Sequence, residues 1–139
     1  MIDVALPNSI LFIPESCFSI CGNLKSIKIP SSVKNLGNSV FFYCGELKEI
    51  ELPEGLESIG TRTFGNCESL VSIELPSTLL YLAGRDFSEC RSLKTIICKA
   101  ENPPMQGYGS IPIDEFNKAS CTVYVPSVWK SQFATSKLI

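Results

Sequence analysis

The chain has 139 residues, 45% of them hydrophobic, so it is long enough to form one domain with a sizeable buried core. Its 12 Lys and Arg residues and 14 Asp and Glu residues give a net charge of −2, which offers no basic surface for a nucleic acid. It contains no histidine, which excludes Ser-His-Asp and Cys-His catalysis and every His-containing metal site. The remaining function classes are a binding protein, a structural protein and an enzyme that works without imidazole.

No targeting or membrane segment is predicted. The first 20 residues contain Asp3, Pro7, Pro14 and Glu15 but no basic segment followed by an apolar core, so they do not resemble a signal peptide. The longest apolar runs, such as residues 40–44, have five residues, whereas a span needs about 18. We therefore expect no membrane insertion.

A 23-residue repeat organises most of the chain. Leu-Pro or Ile-Pro pairs open four full units at residues 6–28, 29–51, 52–74 and 75–97, after a partial unit at residues 1–5. Seven positions are apolar in every unit, and four of them hold the same residue four times, namely one Phe, one Cys, one Leu and one Ile position. Two of these four are the Phe column, with Phe18, Phe41, Phe64 and Phe87, and the Cys column, with Cys21, Cys44, Cys67 and Cys90. Units of this kind bury their apolar sides by stacking, so the repeat predicts a solenoid with one continuous core.

The first residues fall in register with the repeat. Met1, Val4 and Leu6 occupy the apolar positions of a preceding unit. An uncovered strand edge is a template for pairing with another chain. We therefore expect the edge from Met1 to Leu6 either to follow further repeats or to pair with another molecule, which includes a second copy in a homo-oligomer.

Each unit is predicted to contain a strand, a short extended piece and a turn. Residues 24–29 follow an L-x-x-I-x-I pattern that is typical of a strand, and a proline ends it. Successive strands would form a parallel sheet on one side of the solenoid. A short extended piece at residues 33–36 follows and ends at a glycine. The three-residue spacing of apolar residues from Phe41 to Leu47 favours a short helix or 3₁₀ turn.

After the repeats, residues 98–139 are predicted to form a C-terminal cap that covers the last strand edge. Within it, residues 122–125 alternate like a strand. Ser127 then favours the start of a short helix that carries the apolar pair Trp129 and Phe133.

The pattern I-P-x-x-V-x-x-I-G-x-x-x-F-x-x-C-x-x-L-x-x-I-x over residues 6–97 resembles the BspA-like bacterial leucine-rich repeats. The resemblance implies an α/β repeat solenoid: a right-handed, β-rich leucine-rich-repeat superhelix with parallel strands, short helical or 3₁₀ turns and a C-terminal cap. It also implies an adhesion or interaction module of a surface-displayed or secreted protein, without catalytic residues in the repeat. Three residues depart from the pattern, since Pro14 and Ala83 replace a glycine and Asp86 replaces a small apolar residue.

The seven cysteines do not predict a metal or cofactor site. Side chains of the Cys column point the same way from successive coils, which does not suit disulfide geometry, so we expect buried free thiols. Cys98 and Cys121 bracket much of the cap, and two alternatives stay open for them. They either form a disulfide that closes a 24-residue loop or remain free and buried.

Outward-facing residues of the predicted strands are the candidate partner-binding face. They carry both charge signs in neighbouring coils, with an apolar spot at Val71 and Ile97. The alternative is a solubilising surface with cross-strand ion pairs worth about 0.2–1 kcal/mol each. The candidate residues are Lys25, Lys28, Lys48, Glu49, Glu51, Val71, Glu74, Lys94 and Ile97.

A second apolar feature lies elsewhere in the units. Leu11, Phe12, Leu80 and Tyr81 stand at positions that are polar in the two middle units. We expect the cap to cover Leu80 and Tyr81, and whatever precedes the first repeat to cover Leu11 and Phe12. An exposed Leu11–Phe12 pair would instead indicate an interface.

No catalytic constellation is present in the sequence. S-x-x-K occurs at Ser31 and Ser127, but the partner motifs of that chemistry are missing. We therefore expect no enzyme and no cofactor. The favoured function is a protein- or glycan-interaction module of a bacterial cell-surface or secreted protein; the alternatives are a structural spacer and the recognition domain of a larger enzyme.

Overall fold

In a computed structural model, which describes residues 4–102, 105–106, 121–129 and 137–138, the chain winds into a solenoid with one coil per repeat. Coils 1 to 4 are residues 6–28, 29–51, 52–74 and 75–97. The strands are β1 (Phe12–Ile13), β2 (Asn35–Leu36), β3 (Ser58–Ile59), β4 (Ser72–Leu75), β5 (Tyr81–Leu82), β6 (Thr95–Cys98), β7 (Met105–Gln106), β8 (Thr122–Val125) and β9 (Lys137–Leu138). They form two parallel sheets, the side sheet, β1-β2-β3-β5-β7, and the face sheet, β4-β6-β8-β9. The predicted parallel-strand solenoid is confirmed.

The side sheet arises from the short extended piece of each unit. Each of β1, β2, β3 and β5 has two residues, of which the first points outward and the second into the core. Asn35 pairs with Phe12 on one side and with Ser58 on the other, so the pairing keeps the 23-residue register of the repeat.

The face sheet corresponds to the predicted strands, but it is regular only from coil 3 onward. In coils 1 and 2, the described residues of this segment contain a single bridge, between Lys28 and Glu51. Thr95 and Ile97 of β6 are good strand formers, and β4 pairs with β6 although its own outward residues are Ser72 and Glu74; coils 1 and 2 have Ser, Lys and Glu there without such a neighbour.

In coils 1 to 4, the segment after the side strand turns without forming a helix. In coil 2, Ser39 and Tyr43 have left-handed φ values of 56° and 59°, and the other three coils repeat this pair. The Cys44 N–H donates to the Phe41 carbonyl at 3.1 Å, and the Leu47 N–H donates to the Cys44 carbonyl at 3.1 Å. These bonds match the three-residue spacing of the sequence, but left-handed residues interrupt helical geometry. A run of turns therefore replaces the expected helix or 3₁₀ turn.

Main-chain hydrogen bonds of this segment run from coil to coil. The Phe18 N–H donates to the Val40 carbonyl at 3.0 Å, and the Phe41 N–H donates to the Thr63 carbonyl at 2.8 Å. Along the same line, the rings of the Phe column stack at centroid distances of 5.6, 5.7 and 5.8 Å. Polar main chain and apolar side chains thus join each coil to the next.

The Cys column has a role that the sequence did not reveal. Its thiols donate to the Phe-column carbonyl of the preceding coil: Cys44 Sγ lies 3.1 Å from the Phe18 oxygen and Cys67 Sγ lies 3.2 Å from the Phe41 oxygen. Burial raises the pKa of the Cys44 thiol to about 11, so the donating form persists. Cysteine therefore fills space and also satisfies a buried carbonyl.

Two polar side chains, Thr63 and Asp86, are fully buried in the core. They occupy the position that Val40 holds in coil 2. The Thr63 N–H donates to Asp86 Oδ1 at 3.0 Å, and Thr63 Oγ1 donates to the Gly60 carbonyl at 2.6 Å. Asp86 Oδ2 has no hydrogen-bond partner among the described residues. Burial raises the pKa of the Asp86 carboxyl to about 8, although hydrogen bonds from Thr63 act in the opposite direction.

Residues of the predicted cap continue both sheets, because β7 pairs with β5 and β8 pairs with β6. The predicted strand at residues 122–125 is confirmed as β8. A 3₁₀ helix, Ser127–Trp129, follows where a short helix was predicted. Phe133 lies outside the described residues.

The disulfide alternative for Cys98 and Cys121 is not compatible with the strand register. Ile97 pairs with Tyr124, so Cys98 lies beside Val125, four residues along the chain from Cys121. At about 3.3 Å per residue, this places the two cysteines roughly 13 Å apart along the strand, beyond the ~7 Å Cα separation that a disulfide tolerates. Both thiols are free, Cys98 buried and Cys121 half-buried.

The described residues of the cap do not cover the apolar pair of coil 4, contrary to expectation. Leu80 is 62% exposed and Tyr81 is 38% exposed. Both residues project from the outer side of the side sheet, where β7 adds a strand beside β5 rather than a layer over it. Leu11 and Phe12 are likewise exposed.

Candidate functional site

The candidate site lies on the face sheet and on the equivalent residues of coils 1 and 2. Because the coils stack in register, outward residues form two rows that run along the solenoid axis. The lysine row is Lys25, Lys48, Val71 and Lys94, whose main chains are joined by N–H···O bonds of 3.3, 3.4 and 2.8 Å. The mixed row is Lys28, Glu51, Glu74, Ile97 and Tyr124.

A groove with a volume of about 640 Å³ lies over the middle of the mixed row. It crosses coils 1 to 3 and reaches Lys99 at its C-terminal end. Pro53 and Pro76, which follow the strand positions, belong to its wall. The charged residues that line it are Lys28, Glu49, Glu51, Glu54, Glu74 and Lys99.

Two of these acidic side chains are held in place. Glu74 forms an ion pair of 2.7 Å with Lys99, and the hydrogen bond and charge of Glu74 raise the pKa of the Lys99 ammonium. Glu54 accepts a 2.7 Å hydrogen bond from the Ser77 hydroxyl. A groove with positioned charges is suited to recognise a polar partner in a defined orientation.

The remaining groove charges face the solvent. The main chains of Lys28 and Glu51 form a β-bridge. Within the described part of the chain, however, the side chains of Lys28, Glu49 and Glu51 form no ion pair of 4 Å or less. These three side chains are therefore available to charges of a partner.

Four of the nine predicted site residues, Lys28, Glu49, Glu51 and Glu74, line the groove. The other five lie beside it, and a partner role for all nine remains a prediction. Eight of the nine are exposed and Ile97 is half-buried. Lys25 lies 3.9 Å from Glu46, so the alternative of a surface with cross-strand ion pairs applies to part of the face.

The apolar spot is larger than predicted. Val71 is exposed, Ile97 is half-buried, and Tyr124 of β8 lies next to Ile97 in the mixed row. Tyr124 belongs to the cap, outside the 23-residue pattern from which the spot was predicted.

Two groove residues, Lys99 and Glu54, were missed from the sequence because they lie beyond the alternating strand positions, as does Ser77, which donates to Glu54. A signal for Lys99 was present, since it takes the place in the pattern that prolines hold in the other units. The residues at this position are Pro7, Pro30, Pro53, Pro76 and Lys99.

Within the described ranges, no cluster of three or more Cys, Asp or Glu side chains is arranged to hold a metal ion. None of the helices in those ranges has the length and apolar character to span a bilayer.

Comparisons with known proteins place the repeat in a family. A family model described as a BspA-type leucine-rich repeat region, in six copies, matches residues 1–108. No curated protein matches the chain.

Solved structures of bacterial leucine-rich repeat proteins share the fold. A protein from Bacteroides ovatus is 24% identical, with a TM-score of 0.74 over 97% of this chain and 36% of its own. A leucine-rich cell surface protein from Faecalibacterium prausnitzii is 26% identical, with a TM-score of 0.66 over 99% of this chain and 31% of its own. A T. pallidum protein is 21% identical, with a TM-score of 0.59 over 68% of this chain and 57% of its own. The chain thus spans between about a third and just over half of the length of these proteins.

The family match covers the four repeat units and extends beyond them, and the structure stacks those units as parallel coils. The chain therefore belongs to the BspA-type leucine-rich repeat family, whose fold is typically a non-catalytic interaction scaffold.

Proposed function

We propose that the chain is a non-catalytic interaction module of a bacterial cell-surface or secreted protein, and that it binds a protein through the groove of the face sheet. The observation that carries this proposal is the groove itself, a recess of about 640 Å³ with charges of both signs. Family membership and the F. prausnitzii neighbour, which is a cell surface protein, support the surface location.

A protein ligand fits the groove better than a glycan. None of the described residues that line the groove is aromatic, so a sugar ring would find no side chain to stack on there. Lys28, Glu49 and Glu51 instead offer both charge signs, which a polypeptide can match with its own side chains. The apolar spot at Val71 and Ile97 gives a polypeptide an additional contact beside this charged area.

An array of extracellular-matrix proteins and glycans, probed with the labelled chain, tests the proposal. We expect capture by a protein spot and a loss of at least about tenfold in affinity for the double variant Lys28→Ala, Glu51→Ala. Glu57→Ala is the matched control, because Glu57 is an exposed glutamate outside the groove lining.

Equal affinity of the wild type and the groove variant for the captured protein would show that the groove is not part of the binding site. Capture by glycans alone would contradict the protein ligand. The spacer function would be favoured by two results together. The chain would bind nothing on the array, and the parent protein would keep its function when the chain is replaced by an unrelated segment of the same length.

A further inference from the structure

Among the described residues, β1 lies at one edge of the side sheet. In the described part of the chain, β1 pairs with β2 and with no strand on its other side. A bare strand edge is a template on which a second copy can add a strand. Leu11 and Phe12, at this edge, are 62% and 61% exposed, so apolar surface would favour such an addition. The residue that follows β1 is Pro14.

In the other three coils, the residue at the position of Pro14 donates its main-chain N–H to the preceding coil. The donors are Gly37, Gly60 and Ala83, which lie 2.9, 2.9 and 3.0 Å from the carbonyl oxygens of Ile13, Leu36 and Ile59. Proline has no N–H. Coil 1 therefore cannot make the bond that joins every other coil to its predecessor.

The proline ring also obstructs the approach of a strand. Its Cδ occupies the direction in which Gly37 and Gly60 point their N–H. Because an N–C bond is about 1.46 Å long, a carbonyl oxygen placed at the usual bonding distance would lie roughly 1.5 Å from Cδ. Space at this position is small in any case, since a Cβ on Gly60 would lie 2.6 Å from the Asn38 nitrogen. Ala83 shows that a Cβ can be accommodated, so the ring and the missing donor form the obstruction.

We propose that Pro14 closes the edge of β1 to strand addition by a second copy of this chain. The proline protects a strand edge that is otherwise open and flanked by apolar side chains. The groove lies over the other sheet, so this role is independent of the proposed binding function. The predicted self-association through Met1 to Leu6 involves a different segment and remains a separate prediction.

The concentration dependence of sedimentation velocity tests the proposal on three forms of the chain. Pro14→Gly restores the donor and removes the ring, so its self-association constant should rise by on the order of tenfold or more over that of the wild type. Pro7→Gly is the matched control, because all four units have proline at that position and none donates there. Equal self-association of Pro14→Gly and the wild type would overturn the proposal.

A second experiment tests the same obstruction inside the chain. Ala83→Pro should lower the urea midpoint of unfolding relative to Ala83→Gly, because it removes the bond from coil 4 to coil 3 and inserts the ring between them. Equal midpoints for the two variants would show that proline at this position does not block pairing of coils, and would also overturn the proposal.

Discussion

Asp86→Asn is expected to remove most of the dependence of stability on pH between pH 4 and 8. Asp86 is fully buried, and burial raises the pKa of its carboxyl to about 8. Asparagine keeps an oxygen that can accept the N–H of Thr63, which lies 3.0 Å from Asp86 Oδ1. The variant therefore removes the titration and preserves the observed hydrogen bond.

The sign of the effect follows from where the proton is bound. The pKa of this carboxyl is about 8 in the folded chain, whereas its ordinary value, 3.8, applies to the unfolded chain. Between these two pH values the folded chain therefore holds a proton that the unfolded chain has released. The contribution of Asp86 to stability is fully present below pH 3.8 and is lost as the pH rises through about 8. The slope is about 1.4 kcal/mol per pH unit for one proton. Over that window the loss amounts to several kcal/mol.

Urea unfolding at pH 5, 6, 7 and 8, followed by circular dichroism, measures this slope. The wild type should lose stability with each step, whereas Asp86→Asn should change little. Glu57→Gln, which alters an exposed carboxylate, should keep the slope of the wild type. Parallel curves for the wild type and Asp86→Asn would refute the argument that the buried carboxyl is held neutral.

Two further predictions concern the core and the thiols. Phe64→Ala should cost about 3–5 kcal/mol of unfolding free energy, because its fully buried ring lies 5.7 and 5.8 Å from its neighbours in the Phe column. Phe12→Ala, at an exposed position, should cost far less, and equal losses in urea unfolding would contradict the stacking. Iodoacetamide should modify exposed Cys17 first and Cys67 last, because burial raises the pKa of the Cys67 thiol strongly. After denaturation without reductant, the intact mass should show seven alkyl groups; a deficit of two would indicate a disulfide.

The stacking of the coils was predictable because it depends on side-chain type alone. A Phe and a Cys at fixed positions in four units specify which residues face the core, and the structure buries Phe41, Phe64 and Phe87 completely. The position of β8 was predictable for the same reason, since alternation in Thr122–Val125 matches a half-buried strand.

The turns were not predictable because their conformation leaves little trace in residue type. The left-handed positions are occupied by residues as different as Ser39 and Arg62, or Ile20 and Asn66, and none of these is glycine. Glycine is the usual indicator of positive φ, so the sequence offered a three-residue spacing and no sign of the interruption. Hydrogen bonds between coils, which become visible only once the coils are stacked, hold these residues in place.

The candidate site was predicted in part for a related reason. Alternation along a strand identifies outward residues such as Glu51 and Glu74, but a groove also has walls. Glu54 and Lys99 belong to those walls and lie after the strand positions, where the alternation along the strand does not identify them. Lys99 could have been identified another way, because it stands at a repeat position that is proline in the four units.

Departures from the repeat concentrate in the outer coils, and the stacking explains why. A residue of coil 2 or coil 3 must fit a regular coil on each side, so Gly37 and Gly60 keep the pattern. Within the described residues, coil 1 has a regular coil on one side only, so no described carbonyl faces the ring of Pro14. On its C-terminal side, coil 4 is followed by β7 and β8, which continue the two sheets outside the 23-residue pattern, and Asp86 lies in coil 4. Pro14 and Asp86 therefore depart from the pattern in the first and last of the four regular coils, where we expect one to limit pairing at an edge and the other to make stability depend on pH.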